Sequence, residues 1–177
     1  MKKGDSGRNR AMECAIGITV HTGWGACVVV GGSLRKPEII GNTVIELLDG
    51  AERFCYHRAA EMKAASVPAW LERVHARALA HARSELAPLL TPTVRVGAIV
   101  AKDGVLPDPD IALATHMRIH LAEGLFYRDI FRDACRIPCH ITPPASLDIT
   151  AVGRMDTKPW SRDQKLAALA AWHALSR

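Results

Sequence analysis

The sequence predicts an α/β fold: a three-layer domain with a mixed five-stranded sheet and helices on both faces. The sheet combines a three-strand antiparallel meander with two parallel strands. Three observations predict it. The opening fifty residues hold three short apolar runs rich in Ile and Val, joined by Gly-bearing turns. The chain then alternates helical patterns with short β-branched runs, the pattern of helices laid on a sheet. The closing segment, RDQKLAALAAWHAL, is Ala/Leu-rich and reads as a helix.

The elements follow in order. AIGITV (15–20), the turn HTGWG and ACVVVGG read as a hairpin, and PEIIGNTVIELLDG adds the third strand. Residues 51–65 form a short helix or an ordered loop. Ser66 then suits an N-cap, with Pro68 in the first turn of a helix. Val67, Trp70, Leu71, Val74, Ala78, Ala82, Leu86 and Leu89 recur near helical spacing along one face of that helix. VRVGAIVA (94–101) reads as a buried strand of parallel type. A long helix is expected from about Ile111 to Arg136, closed by Pro138, with Leu113, Met117, Gly124 and Phe131 on its apolar face. CHITPP supplies the fifth strand. Before the last helix, Ser161 and Gln164 have the spacing of a capping box.

The length of 177 residues suits one domain, placed at 13–177 after a basic tail at 1–12 that is expected to be disordered. Hydrophobic residues make up 49% and charged residues 23%, a globular balance. No apolar run approaches the ~20 residues that span a bilayer, and the polar N-terminus has no signal-peptide core. A cytoplasmic protein without membrane contact is expected. The net charge of +5 permits nucleic-acid binding without requiring it. Five cysteines are scattered with no CxxC, and they read as reduced, mostly buried thiols. No cofactor motif is present, and no metal is assigned.

The order βββαβαβα is that of the RNase H-like superfamily. AIGITVHTGWGACVVV is similar to the first hairpin of Holliday junction resolvases, and KLAALAAWHAL resembles their Ala/Leu-rich final helix. The middle domain of class-one release factors has a similar element order. The resemblance implies an RNase H-like fold. In the nucleases of that group, two Mg²⁺ ions sit on carboxylates, one of them an Asp of the first strand. Here residues 15–20 contain no Asp or Glu, and the place of the family's metal-binding Asp in the last helix would fall near Lys165 or Leu166. The expectation is a member without the usual carboxylates that binds nucleic acid or a nucleoprotein and does not cut it.

Two groups of residues are candidates for a site. The first takes His21, Thr22 and Trp24 from the first turn, Asp103 after the fourth strand, and a row of His116, His120, Glu123 and Tyr127 on the long helix. The row reads as metal ligands or acid/base groups oriented by Glu123, or as hydrogen bonds from a helix border to loops. HxxxH is a metal spacing, but the Glu of zinc proteases is missing between the histidines. The second group, Trp160, Arg162 and Lys165, offers cations and a stacking surface to nucleic acid. An enzyme acting on a small substrate through the His/Glu row is the main rival reading, and a homodimer formed through an edge strand is the third.

Overall fold

A computed structural model of the chain describes residues 13–33, 35–154 and 160–176. The 1–12 tail lies outside the described residues. The opening hairpin is β1 (Cys14–His21) and β2 (Trp24–Ser33), and β3 (Lys36–Glu46) completes the antiparallel meander. Gly23, with φ of 80°, makes the first turn in a backbone conformation that costs a residue without Cβ nothing. Residues 51–65 contain a short helix, α1 (Cys55–Ala60), which leads through a 3₁₀ turn into α2 (Val67–Leu86). Ser66 lies in that turn and makes no side-chain capping bond. The other elements are β4 (Val94–Val100), α3 (Pro109–Ala112), α4 (His116–Cys135), β5 (Cys139–Thr142) and α5 (Arg162–Leu175).

The five strands form one sheet in the order β3-β2-β1-β4-β5. β4 runs parallel to β1, and β5 runs parallel to β4. This is the mixed sheet the sequence predicts. Strand alternation divides its side chains between two cores. Ile16, Ile18, Cys27, Val29, Ile45 and Ile99 face α2 and α4. Ala15, Val28, Val30, Ala98 and Val100 face α5. Val67, Leu71, Val74, Ala78, Ala82 and Leu86 form the buried stripe of α2, at the predicted spacing. Among the described residues no helix is long and apolar enough to cross a membrane.

The long helix departs from the expectation in two ways. It is split: Pro109 starts the one-turn α3, the chain turns at 113–115, and α4 begins at His116. The Thr115 side chain accepts from the Arg118 N–H at 3.3 Å, which makes it the N-cap. The buried face is also rotated from the predicted one. Ile119, Ala122, Phe126, Ile130 and Ala134, spaced by three and four, go inward with Phe131. Met117 is 82% exposed, and nothing lies within 4 Å of where a Cβ on Gly124 would sit. Gly124 therefore does not mark a close approach of helix to sheet. The larger side chains decide the phase, since their burial outweighs that of Met117.

None of the five cysteines is in a disulfide, and only Cys139 is not fully buried. α4 ends at Cys135, ahead of Pro138, with Arg136 in the left-handed region. Donation from the Cys135 thiol holds Cys139 below the usual thiol range. Burial pushes Cys27 up to about 12.

Candidate cleft and histidine cluster

The parallel strands β1 and β4 end side by side, Thr19 opposite Val100. A crevice at the carboxyl ends of such strands is the usual place for a site in an open α/β sheet. Here it is a cleft of about 650 Å³. Thr19 to Thr22 from β1 and its turn form one side, and Val100 to Lys102 from the end of β4 form another. The first half of α4 contributes Arg118, His120, Leu121, Gly124 and Leu125, and the first turn of α5 contributes Arg162, Asp163 and Leu166. Gly124 leaves the α4 wall open where a side chain would narrow it.

The cations Lys102, Arg118 and Arg162 are exposed at this cleft, and Asp163 is the sole carboxylate among its described lining residues. α5 points its N-terminus into the same space, so the positive end of the helix dipole adds to the cations. A reciprocal capping box fixes that end: Ser161 accepts from the Gln164 N–H, and Gln164 accepts from the Ser161 N–H, each at 3.2 Å. The Thr19 hydroxyl donates to the Asp163 carbonyl at 2.9 Å and ties β1 to the same turn. Asp163 lies 3.0 Å from His21 Nε2, without the alignment of a hydrogen bond. His21 stacks flat on Trp24, with ring centroids 4.2 Å apart.

The resemblance to metal-dependent nucleases can be tested at this end of the sheet. Two Mg²⁺ ions need several hard oxygen ligands. β1 presents a hydroxyl already committed to α5, and α5 presents Arg162, Asp163 and Lys165. One carboxylate, Asp163, beside the cleft cations Lys102, Arg118 and Arg162 does not suit a two-Mg²⁺ centre.

The predicted row on α4 does not hold together as one site. Tyr127 is fully buried, and its hydroxyl donates to the Arg53 carbonyl at 2.7 Å, a structural bond. Glu123 is 1% exposed and points toward α1. There it accepts from the backbone N–H groups of Tyr56 and His57 at 3.2 Å and from His57 Nδ1 at 2.9 Å. Burial, with a contribution from the Glu123 charge, pushes the adjacent Cys55 thiol up to about 12. His116 and His120 are exposed one turn apart, with their Nε2 atoms 2.9 Å from each other. The residue that completes the group is His57. Its ring lies 4.6 Å from that of His120 and 5.3 Å from that of His116. His57 falls in the stretch without periodicity, and nothing local in the sequence singles it out.

Asp103 stands apart from both groups. It caps its own turn, accepting from the Gly104 N–H at 2.8 Å. Trp160 packs half-buried on the α5-side core, and Lys165 is half-buried on the first turn of α5. Of the predicted nucleic-acid residues, Arg162 alone lines the cleft.

Comparison with known proteins places the fold and not the family. No protein-family profile matches the chain, and no curated protein matches it. The chain is similar to the solved structure of RuvC from Thermus thermophilus in complex with Holliday junction substrate. The TM-score is 0.52 at 11% identity, over 90% of each chain. A second structure of RuvC from Thermus thermophilus gives a TM-score of 0.46 at 12% identity, over 90% of this chain and 91% of that one.

Proposed function

We propose that the chain binds nucleic acid in the cleft at the ends of β1 and β4, and holds it without cutting. The fold is that of RuvC and the RNase H-like proteins. The observation that carries the reading is the cleft's charge: Lys102, Arg118 and Arg162 with the N-terminus of α5, against one carboxylate. Cations and a helix N-terminus converging on one crevice are suited to phosphate oxygens. The apolar floor made by Leu121 and Leu125, with Met117 at its edge, suits sugars and base faces. The RuvC structure with the similar fold is itself a complex with a Holliday junction substrate, which makes branched DNA the first ligand to try. With a single carboxylate among its described lining residues, the cleft suits a binder rather than a two-metal nuclease.

Fluorescence anisotropy with labelled duplex and four-way junction DNA tests the reading. Affinity falls steeply with salt, because each neutralised phosphate releases counterions. Replacing Lys102, Arg118 and Arg162 together by Ala flattens that dependence by roughly 0.9 in log–log slope for each phosphate the variant no longer neutralises. Removing residues 1–10 separates the tail's charge from that of the cleft. Binding that ignores salt, or that survives the triple substitution unchanged, overturns the reading. With Mg²⁺ or Mn²⁺, no cleavage is expected. Cleavage that persists through purification and disappears in Asp163→Asn would show that a metal centre forms here after all.

A further inference from the structure

We propose that His57, His116 and His120 form a site for one transition-metal dication of the zinc, copper and nickel class, with Glu123 as the buried carboxylate behind His57. The site is independent of the nucleic-acid reading. One ring nitrogen from each of the three histidines lies within 4.8 Å of the others. Two come from successive turns of α4 and the third from α1, so an ion held there would clamp the two helices together. The His116 and His120 Nε2 atoms are 2.9 Å apart. Two nitrogens bound tetrahedrally to one zinc sit roughly 3.3 Å apart, given Zn–N bonds of about 2.0 Å. A slight opening of two exposed side chains reaches that geometry.

Glu123 distinguishes this group from three histidines that merely share a surface. A carboxylate that is 1% exposed is costly to bury unless its bonds are made, and this one makes three with α1. One of them takes the Nδ1–H of His57, which leaves Nε2 as the nitrogen with a free lone pair. Metal-ligating histidines are oriented in this way by a carboxylate that does not itself bind the ion, which fixes the tautomer and makes the imidazole a better donor. Three imidazoles with no carboxylate ligand favour zinc, copper or nickel over Mg²⁺ or Ca²⁺. His116 and His120 are exposed, so a fourth position would be open to water or to a ligand. His120 also lines the cleft, so that position would lie at its margin.

The test uses the tag-free full chain, stripped with chelator and titrated with Zn²⁺ by calorimetry and with Co²⁺ by visible absorption. One equivalent is expected, with the ligand-field bands of a nitrogen-rich Co²⁺ site and a Zn²⁺-dependent rise in melting temperature. His57→Ala, His116→Ala and His120→Ala should each weaken binding at least tenfold, and Glu123→Gln by roughly 10–100-fold. His81→Ala, on the exposed face of α2, should leave it unchanged. His116 and His120 are exposed, so their variants keep the fold and carry the test even where a change at His57 or Glu123 destabilises it. Failure to saturate below about 1 mM Zn²⁺ would overturn the proposal, since structural and catalytic sites bind far more tightly. So would full retention of binding in both His116→Ala and His120→Ala.

Discussion

α5 lies so close to β1 that a Cβ on Gly17 would run into the carbonyl oxygen of Ala167. The helix presents Ala167, Ala168, Ala170 and Ala171 together with Leu166 and Leu169, all buried. Across the sheet, α4 stands off on Phe126, Ile130 and Phe131 and buries two charged residues, Glu123 and Arg128. Glu123 reaches α1. Arg128 reaches the loop after β4, donating to the carbonyls of Lys102 at 3.2 Å and Gly104 at 3.0 Å, and pairing with Asp129 at 2.7 Å. The α5 face is fixed by backbone proximity, and small side chains permit it. The α4 face is fixed by volume, and its polar groups wire helix to loops. Of the two helices, α4 is thus the one that shapes both the cleft and the histidine cluster, while α5 brings its first turn to the cleft from a rigid seat.

The sharpest way to break this comparison is Gly17→Ala. The neighbour is a carbonyl within a helix, which cannot rotate away as a side chain could. The loss should reach at least about 3 kcal/mol, the upper end for overpacking. In a chain of this size that lowers the melting temperature by roughly 6–12 °C. A variant melting within about 2 °C of the native protein would show that α5 has room to move, and the contrast between the faces would fail.

Arg128→Met comes next and probes the wiring. It keeps the volume but removes every bond to the loop, leaving two carbonyls short of a donor, while Asp129 keeps its pairing with Arg132. The expected cost is roughly 2–3 kcal/mol, the range for unpaired buried polar groups. The location of the damage matters more than its size. Hydrogen exchange at residues 102–105 should rise while β1 and α5 stay protected. Uniform loss of protection would mean that Arg128 supports the core as a whole. Lys102 sits in that loop, so DNA affinity should fall as well.

Much of this is readable in the sequence, for reasons that differ by element. The meander shows in its β-branched runs and glycines, α2 in a stripe of uniform spacing, and the α5 cap in Ser161 and Gln164 three residues apart. These signals are local. The phase of α4 is not readable in the same way, because Met117 and Gly124 compete with Ile119, Phe126 and Ile130 for the buried face, and bulk decides. Thr115 is a good N-cap residue type, but the periodicity runs through it and masks the break. His57 is hidden for another reason: its partner Glu123 is 66 residues away, and only the packing of α1 on α4 joins them. Spacing alone makes Glu123 a border residue facing His116 and His120, and in the fold it turns from them toward His57. His21 and Trp24 stand out in the first turn, and their stacking follows from their being paired across the hairpin.

The smallest effect, and one opposite in sign, is expected for Gly124→Ala. Gly17 and Gly124 are the same residue type in regular structure, so composition alone assigns them the same role. At Gly17 an added methyl meets backbone. At Gly124 it meets open space on the cleft side of α4. The only remaining energetic difference is helix propensity, in which Ala exceeds Gly by about 1 kcal/mol or somewhat less. Gly124→Ala should therefore raise the melting temperature by roughly 1–4 °C. The same methyl protrudes into the cleft beside Leu121 and Leu125, so DNA affinity should drop or stay level while stability rises. That pairing of outcomes is what a site residue gives and a core residue does not. A fall in stability would mean that α4 packs more closely at Gly124 than the fold shows, and its assignment to the open wall of the cleft would be withdrawn.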